Sequence, residues 1–451
     1  MKTLDQIAAE LEGYDPQALS AADVQAFLSR LVTPVQDAVE RLLFEALGRV
    51  LAEDVISPFD VPPHDNSAMD GYAFDGQQLK ADAALELQVV GTALAGTAWQ
   101  GSVQAGQCVK IMTGAIMPPG ADTVVPQEFV KRLPSDTADE GSRIGIPPGL
   151  LRAGDNRRLR GEDLMQGQPA LRKGELITPA RLGLAASLGL KTLPCWRPLR
   201  VAYFSTGDEI LSLGEAPREG AVYDSNRYTV FGMLSRLGCQ VIDLGVVRDD
   251  PALLEAAFTR AAAEADAIIT SGGVSVGEAD FTKTMMKKLG DVAFWRIAMR
   301  PGRPMAVGRI LATKSASTPG TTGAISYKKN SNTHGAILFG LPGNPVAVMV
   351  TFLAFVRPAL LQMMGASAAP APLLKARSSE AIRKKPGRTE YQRGWVATAA
   401  DGSLVVKTTG SQGSGVLRSM AEANGLMVLH HAQGNVAVGD EVDVMMFDGA
   451  I

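Results

Sequence analysis

Short hydrophobic runs alternate with amphipathic helical segments across the middle of the chain. The runs are bounded by polar or small residues, as in buried strands of a parallel sheet. The alternation predicts a parallel-rich sheet with helices on both faces, a three-layer αβα domain whose ligands gather where the strands end. The predicted strands are Val201–Phe204, Val241–Val247, Ala267–Thr270, Phe294–Ala298, Met305–Val307 and Ile337–Gly340, and the predicted helices are Ser225–Leu237, Pro251–Glu264, Asp280–Leu289 and one from Pro345.

The flanking regions have other patterns. Residues 2–12 and 20–31 show helical periodicity, the second with Ser20 as N-cap. Val35–Leu47 also places its apolar residues on one helical face, so we expect a third helix, and we assign all three to packing and dimerisation. The predicted domains are an N-terminal helical and extended domain (1–60 and 150–195), a small β domain (61–149), the αβα domain (196–365) and a C-terminal β-barrel-like domain (370–451).

Composition and charge exclude several classes of function. A net charge of -3 over 451 residues leaves no basic footprint for nucleic acid. The three scattered cysteines indicate neither a disulfide framework nor a zinc site, and the N-terminus has no secretory pattern. The charge-free stretch Ile337–Val356 is broken by Leu341–Pro345, which leaves too few apolar residues to span a bilayer. We therefore expect a cytoplasmic protein without a membrane partner.

Small residues and acids follow the predicted strands. Ser205, Thr206, Gly207 and Glu209 follow the first strand, and Asp249 follows the second. Small residues expose backbone N–H groups that bind phosphate oxygens, whereas carboxylates repel phosphate, so a divalent cation such as Mg²⁺ would let the two coexist. After the third strand the same mixture recurs in Ser271, Gly272, Gly273, Ser275, Gly277 and Asp280. Before the last helix, small and rigid residues recur in Pro342, Gly343, Asn344 and Pro345.

The usual nucleotide and nucleophile motifs are missing. The sequence has no GxxxxGK[ST] loop, no GxGxxG after a strand and no Ser/His/Asp or Cys/His arrangement, which disfavours an ordinary ATPase, a dinucleotide site and covalent catalysis. Arg300 and Arg303 flank Pro301 in a stretch fixed by proline, where they could hold a second oxyanion. Further donors could come from Arg388, Arg393 and Ser411–Ser414, although each alone is typical of a surface.

Three other stretches are open to two interpretations. The acid-rich loop 57–73 is either a surface loop with Asx-turns or a cation-linked site. Thr113 and Gly114 form either a plain turn or a set of donors to an anion. The mixed patch Arg152–Asp163 indicates either surface ion pairing or a place where phosphate and a metal meet.

Six motifs in this order resemble the molybdopterin molybdotransferases, the bacterial molybdenum-insertion enzymes related to the E domain of gephyrin. The resemblance covers about residues 21–451. The motifs are Asp65–Ala73 (DNSAMDGYA), Ile111–Gly114 (IMTG), Arg160–Asp163 (RGED), Ser205–Glu209 (STGDE), Ser271–Asp280 (SGGVSVGEAD) and Leu341–Pro345 (LPGNP).

The resemblance implies a Mg²⁺-dependent transferase that binds adenylylated molybdopterin and molybdate and releases AMP. It also implies a homodimer with each active site between the αβα domain of one subunit and the Asp70, Thr113 and Asp163 regions of the other. A partner adenylyltransferase and apo molybdoenzymes are further implied partners. By matching motif the functional positions are Asp70, Thr113, Asp163, Glu209, Asp249, Asp280, Pro342 and Pro345, with Asp249 and Asp280 assigned to Mg²⁺ and Arg300, Arg303, Arg393 and Ser414 to molybdate.

Two departures and two rival functions accompany the resemblance. Arg303 stands where many members have lysine, which changes hydrogen-bond geometry toward an oxyanion. The 313–332 tract and the residues before Ser20 are longer than expected for the family. The rivals are the adenylyltransferase that makes the precursor, which the extra domains disfavour, and a non-catalytic scaffold, which the retained acids disfavour.

Overall fold

A computed structural model describes residues 2–134, 142–274, 281–311, 335–367, 370 and 372–447. The predicted site residues Ser275, Gly277 and Asp280 and the 313–332 tract lie outside the described residues. The chain forms two compact units. The first contains Met1–Glu53, Lys173–Thr178 and Thr192–Ile451, and the second contains Asp54–Arg172 and Pro179–Lys191. The four-domain division expected from the sequence stays a prediction.

The first unit is built around a six-stranded mixed sheet. Its first four strands are parallel, and the fifth runs antiparallel to both of its neighbours, the fourth and the sixth. The last two are joined across Arg296–Pro304, a connection far too short for the crossover that a parallel pair requires. In spatial order the strands are Gln240–Val247, Arg200–Thr206, Ala267–Ser271, Ala336–Leu341, Pro304–Ile310 and Gly290–Arg296.

Helices cover both faces of this sheet. The Ser225–Arg236 helix and the helix from Pro345 pack with Tyr203 and Phe339 in one cluster. The Pro251–Glu264 and Phe281–Leu289 helices pack with Phe204 on the opposite face. Side chains of neighbouring residues point to opposite faces of a strand, so the continuous apolar strand 200–206 supplies both cores. The predicted three-layer αβα fold is confirmed.

The helix that begins at Pro345 is long and apolar. It runs as Pro345–Thr351, a π-helical turn over Phe352–Val356, and Arg357–Met363. Pro358 lacks an N–H group, which is a sufficient reason for an irregular turn just before it. By length and composition Pro345–Met363 could cross a membrane. However, 72% of its most apolar stretch is buried inside the protein, as in a core helix. The predicted strand, turn and buried helix are confirmed.

The C-terminal part of the first unit is a closed barrel. Five strands close into a ring because Thr389–Thr398 pairs with both Leu404–Thr408 and Gly425–Leu429. The short strand Met299–Arg300 adds to it by pairing in parallel with Thr389 and Glu390. This pairing attaches the connection 296–304 of the αβα sheet, the arginine-rich turn, to the barrel. The remaining barrel strands are Leu374–Ser378 and Glu441–Met446, and the helix Leu417–Ala421 lies between two of the strands in sequence.

The N-terminal helices are only partly as predicted. Helices occupy Leu4–Ala9 and Ala21–Leu31, and Ser20 caps the second. The predicted helix Val35–Leu47 is wrong: Ala38–Leu42 is a strand paired with Thr192–Trp196 and a single helical turn, Leu43–Ala46, follows. The apolar spacing of this segment fits a helix, but pairing with a partner about 150 residues away decides its conformation.

The second unit contains a six-stranded sheet. Within it, Lys131–Leu133 pairs antiparallel with Arg143–Ile146. Asn66–Ser67 pairs with Arg157–Arg158, and Val55–Ile56 pairs with Pro169–Leu171. The sheet strands in spatial order are Thr123–Pro126, Gly71–Phe74, Gln107–Ile111, Leu85–Ala93, Arg143–Ile146 and Lys131–Leu133, and the unit also holds the helix Pro179–Ser187 and the 3₁₀ turns Gly76–Gln78 and Gln127–Phe129.

Candidate active site

Two motifs of the second unit are held together by their own hydrogen bonds. The Asp70 carboxylate accepts bonds at Oδ1 from the Thr113 amide and hydroxyl, both at 2.7 Å. The Gly114 amide donates to the Ser67 carbonyl at 2.8 Å, from a backbone with φ of +78° that favours glycine. These bonds to Thr113 hold the pKa of the exposed Asp70 carboxyl below its usual value. Asp70 therefore presents a fixed anion at neutral pH.

The mixed patch of the second unit consists largely of ion pairs. Arg158 Nε lies 2.6 Å from Glu162 Oε1, and Arg160 Nε lies 2.6 Å from Asp60 Oδ2. The Asp65 carboxylate accepts the Arg160 amide at 2.8 Å. The surface ion-pairing interpretation thus accounts for these side chains. Asp163, at the end of the same motif, is exposed and is fixed through its backbone by a bond to the Val61 carbonyl at 3.0 Å.

In the first unit the carboxyl ends of the strands open into a large cavity of about 1140 Å³. Loops from four strand ends, the arginine-rich turn and the barrel all contribute to its wall. The predicted site residues that line it are Thr206, Gly207, Glu209, Asp249, Ser271, Gly272, Gly273, Arg300, Arg303, Pro342, Gly343, Asn344, Pro345 and Ser414.

Two glycines in this wall allow close approach of the chain. A Cβ atom on Gly272 would stand 2.4 Å from the Thr206 carbonyl oxygen, and the Gly272 backbone has a φ of +92°. A Cβ atom on Gly207 would stand 2.5 Å from a carboxylate oxygen of Glu209. A side chain at Gly272 would push the strand ends apart, whereas one at Gly207 would displace the Glu209 carboxylate. Glycine therefore keeps the wall closed at the first position and leaves room for the acid at the second.

Ser205 lies behind the wall and is not among its lining residues. The Tyr203 hydroxyl lies 2.8 Å from Ser205 Oγ and 2.7 Å from Ser271 Oγ, in the buried ends of adjacent strands. Burial, with the nearby Asp224 charge, raises the pKa of Tyr203, so its hydroxyl stays neutral. The three hydroxyls form a buried hydrogen-bonded group behind the cavity wall, and Ser271 is the residue of the group that lines the cavity.

The predicted oxyanion residues fall into two groups. Arg300 and Arg303 are exposed and line the cavity with Ser414. Arg393 instead is fully buried and lines a separate cavity of about 280 Å³ together with Arg300. Its guanidinium donates to the carbonyls of Ser411, Gln412 and Gly413 at 3.0, 3.3 and 2.9 Å and to Ser419 Oγ at 3.0 Å.

Arg393 therefore holds the 411–414 loop, which carries Ser414 toward the larger cavity. Burial, together with the positive charge of Arg300, lowers the pKa of Arg393 to about 10. The guanidinium remains charged at neutral pH, and its described partners are carbonyl and hydroxyl oxygens rather than carboxylates. These bonds position the loop, and a direct role of Arg393 in molybdate binding stays a prediction.

The acids of the cavity wall suit a hard cation. Glu209 and Asp249 both line the cavity, and Asp208 Oδ1 accepts the Asp249 amide at 3.3 Å. Mg²⁺ is usually held by one or two carboxylates, with phosphate and water completing its shell. Within the described ranges no three His, Cys, Asp or Glu side chains cluster as a metal site. A cation here would be shared with a phosphorylated ligand, and Asp249 and Glu209 fit that requirement.

The sequence reasoning missed two residues of the wall. Asp224 and Asn226 open the Ser225–Arg236 helix and line the cavity, and both are buried. The signal was present, because an aspartate directly before a helix is a strong N-cap candidate. The helix was predicted from Ser225, and its N-cap residue Asp224 was not among the predicted site residues.

Known families match three consecutive parts of the chain. The profile described as "MoeA N-terminal region (domain I and II)" matches residues 19–189, "Probable molybdopterin binding domain" matches 202–362, and "MoeA C-terminal region (domain IV)" matches 375–447. A Haemophilus influenzae protein named molybdopterin molybdenumtransferase is 39% identical over 422 residues, 93% of this chain and 96% of that protein. Molybdopterin molybdenumtransferase 2 of Mycobacterium tuberculosis is 34% identical over 89% of this chain and 93% of its own.

A solved structure has the same fold. The crystal structure of the molybdopterin biosynthesis moeA protein from Pyrococcus horikoshii OT3 has a TM-score of 0.76 and 26% identity, covering 96% of this chain and all of the other. Both the αβα core and the barrel fall inside the matched length. The sequence resemblance is thereby confirmed, and so is the expectation of an enzyme of the transferase class. The chain belongs to the MoeA family of molybdopterin molybdenumtransferases.

Proposed function

We propose that this protein inserts molybdenum from molybdate into adenylylated molybdopterin and releases AMP, with Mg²⁺ as cofactor. The observation that carries the proposal is the mixed charge of one cavity. Glu209 and Asp249 lie in its wall with Arg300, Arg303 and the glycine-rich strand ends. Acids and arginines in the same wall suit a phosphate held through a cation beside a second oxyanion.

Each group in the wall has a distinct task in this proposal. The amides at Gly273 and Gly343 and the residues around Pro342 and Pro345 bind the phosphates, as small and rigid backbone allows. Asp249 holds Mg²⁺, which supplies charge neutralisation for the departing phosphate. The sequence assigns Asp280 to the same ion, and that assignment stays a prediction. Arg300, Arg303 and Ser414 orient molybdate, and Asp70, Thr113 and Asp163 serve the transfer from the second unit.

We also propose a homodimer in the cytoplasm. The segment expected to mediate dimerisation leaves large apolar side chains in solvent: Phe44 is 97% exposed, Leu42 58% and Leu47 52%. A cluster of this kind on a single chain is typical of a protein–protein interface. Handover of the product to apo molybdoenzymes, and supply from an adenylyltransferase, follow from the chemistry of the substrate and product.

A single-turnover experiment tests the function. The purified protein is mixed with adenylylated molybdopterin and Mg²⁺, with and without micromolar molybdate, and AMP and molybdenum cofactor are followed together. We expect AMP release that requires both molybdate and Mg²⁺, in step with cofactor formation. Release of AMP without molybdate, or tight binding without release, would contradict an insertase.

A further inference from the structure

One corner of the large cavity carries polar atoms that lack hydrogen-bond partners among the described residues. Asp224 is 3% exposed, Asn226 7% and Thr206 3%. All three residues line the cavity, and Asp224 Oδ2, Asn226 Oδ1 and Thr206 Oγ1 are the unpartnered atoms. Burying polar atoms without partners destabilises a fold, so three such atoms in one wall point to a ligand that completes them.

One carboxylate oxygen of Asp224 has no hydrogen-bond partner among the described residues. Its Oδ1 accepts the Arg227 amide at 3.1 Å and thereby caps the Ser225–Arg236 helix. The Arg227 guanidinium is held elsewhere, because its Nε and Nη2 lie 2.9 and 2.6 Å from the two oxygens of Asp243. The cap therefore uses half of the Asp224 carboxylate, and Oδ2 remains as a charged acceptor in the wall.

Asn226 presents an acceptor as well. Its Nδ2 donates to the Gly343 carbonyl at 2.7 Å, which fixes the side-chain amide so that Oδ1 is the unpaired atom. The corner thus offers a carboxylate oxygen and an amide oxygen, with the Thr206 hydroxyl beside Gly272. Two acceptors of this kind repel phosphate and molybdate, so the matching partner is either a cation or a part of the ligand that carries N–H donors.

We propose that Asp224 and Asn226 bind the 2-amino-4-oxopyrimidine edge of the pterin, an inference that rests on the proposed function. That edge carries its ring N3–H and its exocyclic amino group side by side, two donors for two acceptors. The adenine amino group instead stands beside ring nitrogens that accept, and their lone pairs would face the carboxylate. The corner is therefore a pterin subsite and not an adenosine subsite.

The variant Asp224→Asn tests this subsite. Asparagine is as good an N-cap as aspartate, so the helix is retained while the charged acceptor is lost. Equilibrium dialysis under anaerobic conditions gives the dissociation constants of metal-free molybdopterin and of AMP. We expect the constant for molybdopterin to rise about 10- to 100-fold, the range for a hydrogen bond to a charged group. The constant for AMP should stay within about twofold, as for a ligand at an independent position.

Asp250→Asn is the matched control, because Asp250 caps the Pro251–Glu264 helix through the Ala252 and Leu253 amides and is not among the lining residues. It should leave both constants unchanged. A second variant, Asn226→Ala, should weaken molybdopterin in the same direction. Competition by pterin and by its 2-oxo analogue lumazine adds a ligand-side test: the wild type should prefer pterin, and Asp224→Asn should lose most of that preference.

Several outcomes would overturn the subsite. They are weaker AMP binding with molybdopterin unchanged, an equal loss for both ligands, no change for either, or a raised Mg²⁺ requirement with pterin affinity intact. If the wild-type protein itself failed to bind molybdopterin, the proposed function would fail and the subsite with it. If the wild type bound and turned over normally while both variants did the same, only the subsite would fail.

Discussion

At the scale of single residues, an acid at the strand end opposite the cavity should affect the stability of the fold, not the reaction. Asp266 precedes the Ala267–Ser271 strand, at the end opposite the cavity, and is 5% exposed. Arg197 donates to it at 2.7 and 2.9 Å, and the Arg200 amide donates at 2.8 Å. Burial alone would raise the pKa of Asp266, but these bonds from Arg197 and Arg200 hold it below its usual value.

We predict that Asp266→Asn lowers the free energy of unfolding by about 3 kcal/mol at pH 7, because the half-buried Arg197 guanidinium loses its buried carboxylate partner. A lowered carboxyl pKa stabilises the fold fully above the unfolded value of about 3.9, and that stabilisation is lost as pH falls through the folded pKa. Urea unfolding should therefore show a full difference between wild type and variant at pH 5 to 7 and a shrinking difference below about pH 4.

Asp37→Asn supplies the control, since Asp37 also contacts Arg197 but its side chain is 61% exposed. Its effect should stay below about 1 kcal/mol. The transfer rate should not change in either variant. A pH-independent difference for Asp266→Asn, or an equal effect of the two substitutions, would show that this ion pair does not stabilise the sheet.

Asp70 represents the other case, an exposed acid whose loss should affect the reaction. We predict that Asp70→Asn lowers the single-turnover rate by about 100-fold or more, the lower limit typical of a group that acts in the reaction. Thr113→Val should have a smaller effect, because it removes the hydroxyl bond and leaves the amide bond to Asp70. The lowered pKa of Asp70 also predicts that the pH–rate profile has no inflection from this group above about pH 4.

Thermal unfolding should be nearly unchanged in these variants, because Asp70 is exposed. Asp82→Asn, an exposed acid in the same unit but outside the motifs, should keep the full rate. A large fall in the melting temperature of Asp70→Asn would move this residue from the reaction to the fold.

At the scale of elements, residues 2–19 form a strap along the edge of the αβα sheet. Arg309 is 8% exposed, and its Nη1 and Nη2 donate to the Lys2 and Leu31 carbonyls, both at 2.8 Å. Beside the arginine-rich turn, the Ala298 amide donates to the Leu19 carbonyl at 2.7 Å. The strap therefore reaches the backbone just before Arg300.

We predict that removing residues 2–18 lowers the free energy of unfolding by at least about 3 kcal/mol, because Leu4 and Ile7 lose their burial. The molybdate concentration for half-maximal rate should rise several-fold, since the turn bearing Arg300 and Arg303 loses one of its supports, while AMP affinity stays unchanged. Tyr14→Phe, which removes only the hydroxyl that accepts the Trp295 indole N–H, is the mild comparison. A truncated protein with wild-type molybdate dependence would limit the strap to stability.

The elements also show what local sequence can predict here. Pro251–Glu264 was predicted with its true bounds because Asp250, Pro251 and the apolar spacing all act within a few residues. Ala38–Leu42 was mistaken for helix because its partner strand is distant in sequence. The full burial of Arg393 was not predicted, because it depends on how the barrel closes, which no local pattern encodes. The strand-end glycines were found because parallel strands bring their carboxyl ends to one edge.

At the scale of the whole molecule, the family resemblance implies that residues of both subunits serve each reaction. Asp70 and Asp249 belong to different units of the chain, so this implication can be tested without knowing how the subunits meet. We predict that Asp70→Asn and Asp249→Asn are each inactive as homodimers but recover activity when mixed. If subunits exchange freely, half of the dimers are mixed and each has one site free of substitutions, so about a quarter of wild-type activity should return.

The mixture is prepared by partial unfolding and refolding, and the single-turnover release of AMP is measured against each variant treated alone. Asp70→Asn mixed with Asp70→Asn, Asp249→Asn double variant provides the control, because every site in that mixture lacks Asp70. A mixture that stays inactive, although mass spectrometry with one variant ¹⁵N-labelled shows mixed dimers, would mean that both acids act from one chain. Asp70 and Asp249 of one subunit would then have to serve the same reaction, and the dimer would have a role other than completing the site.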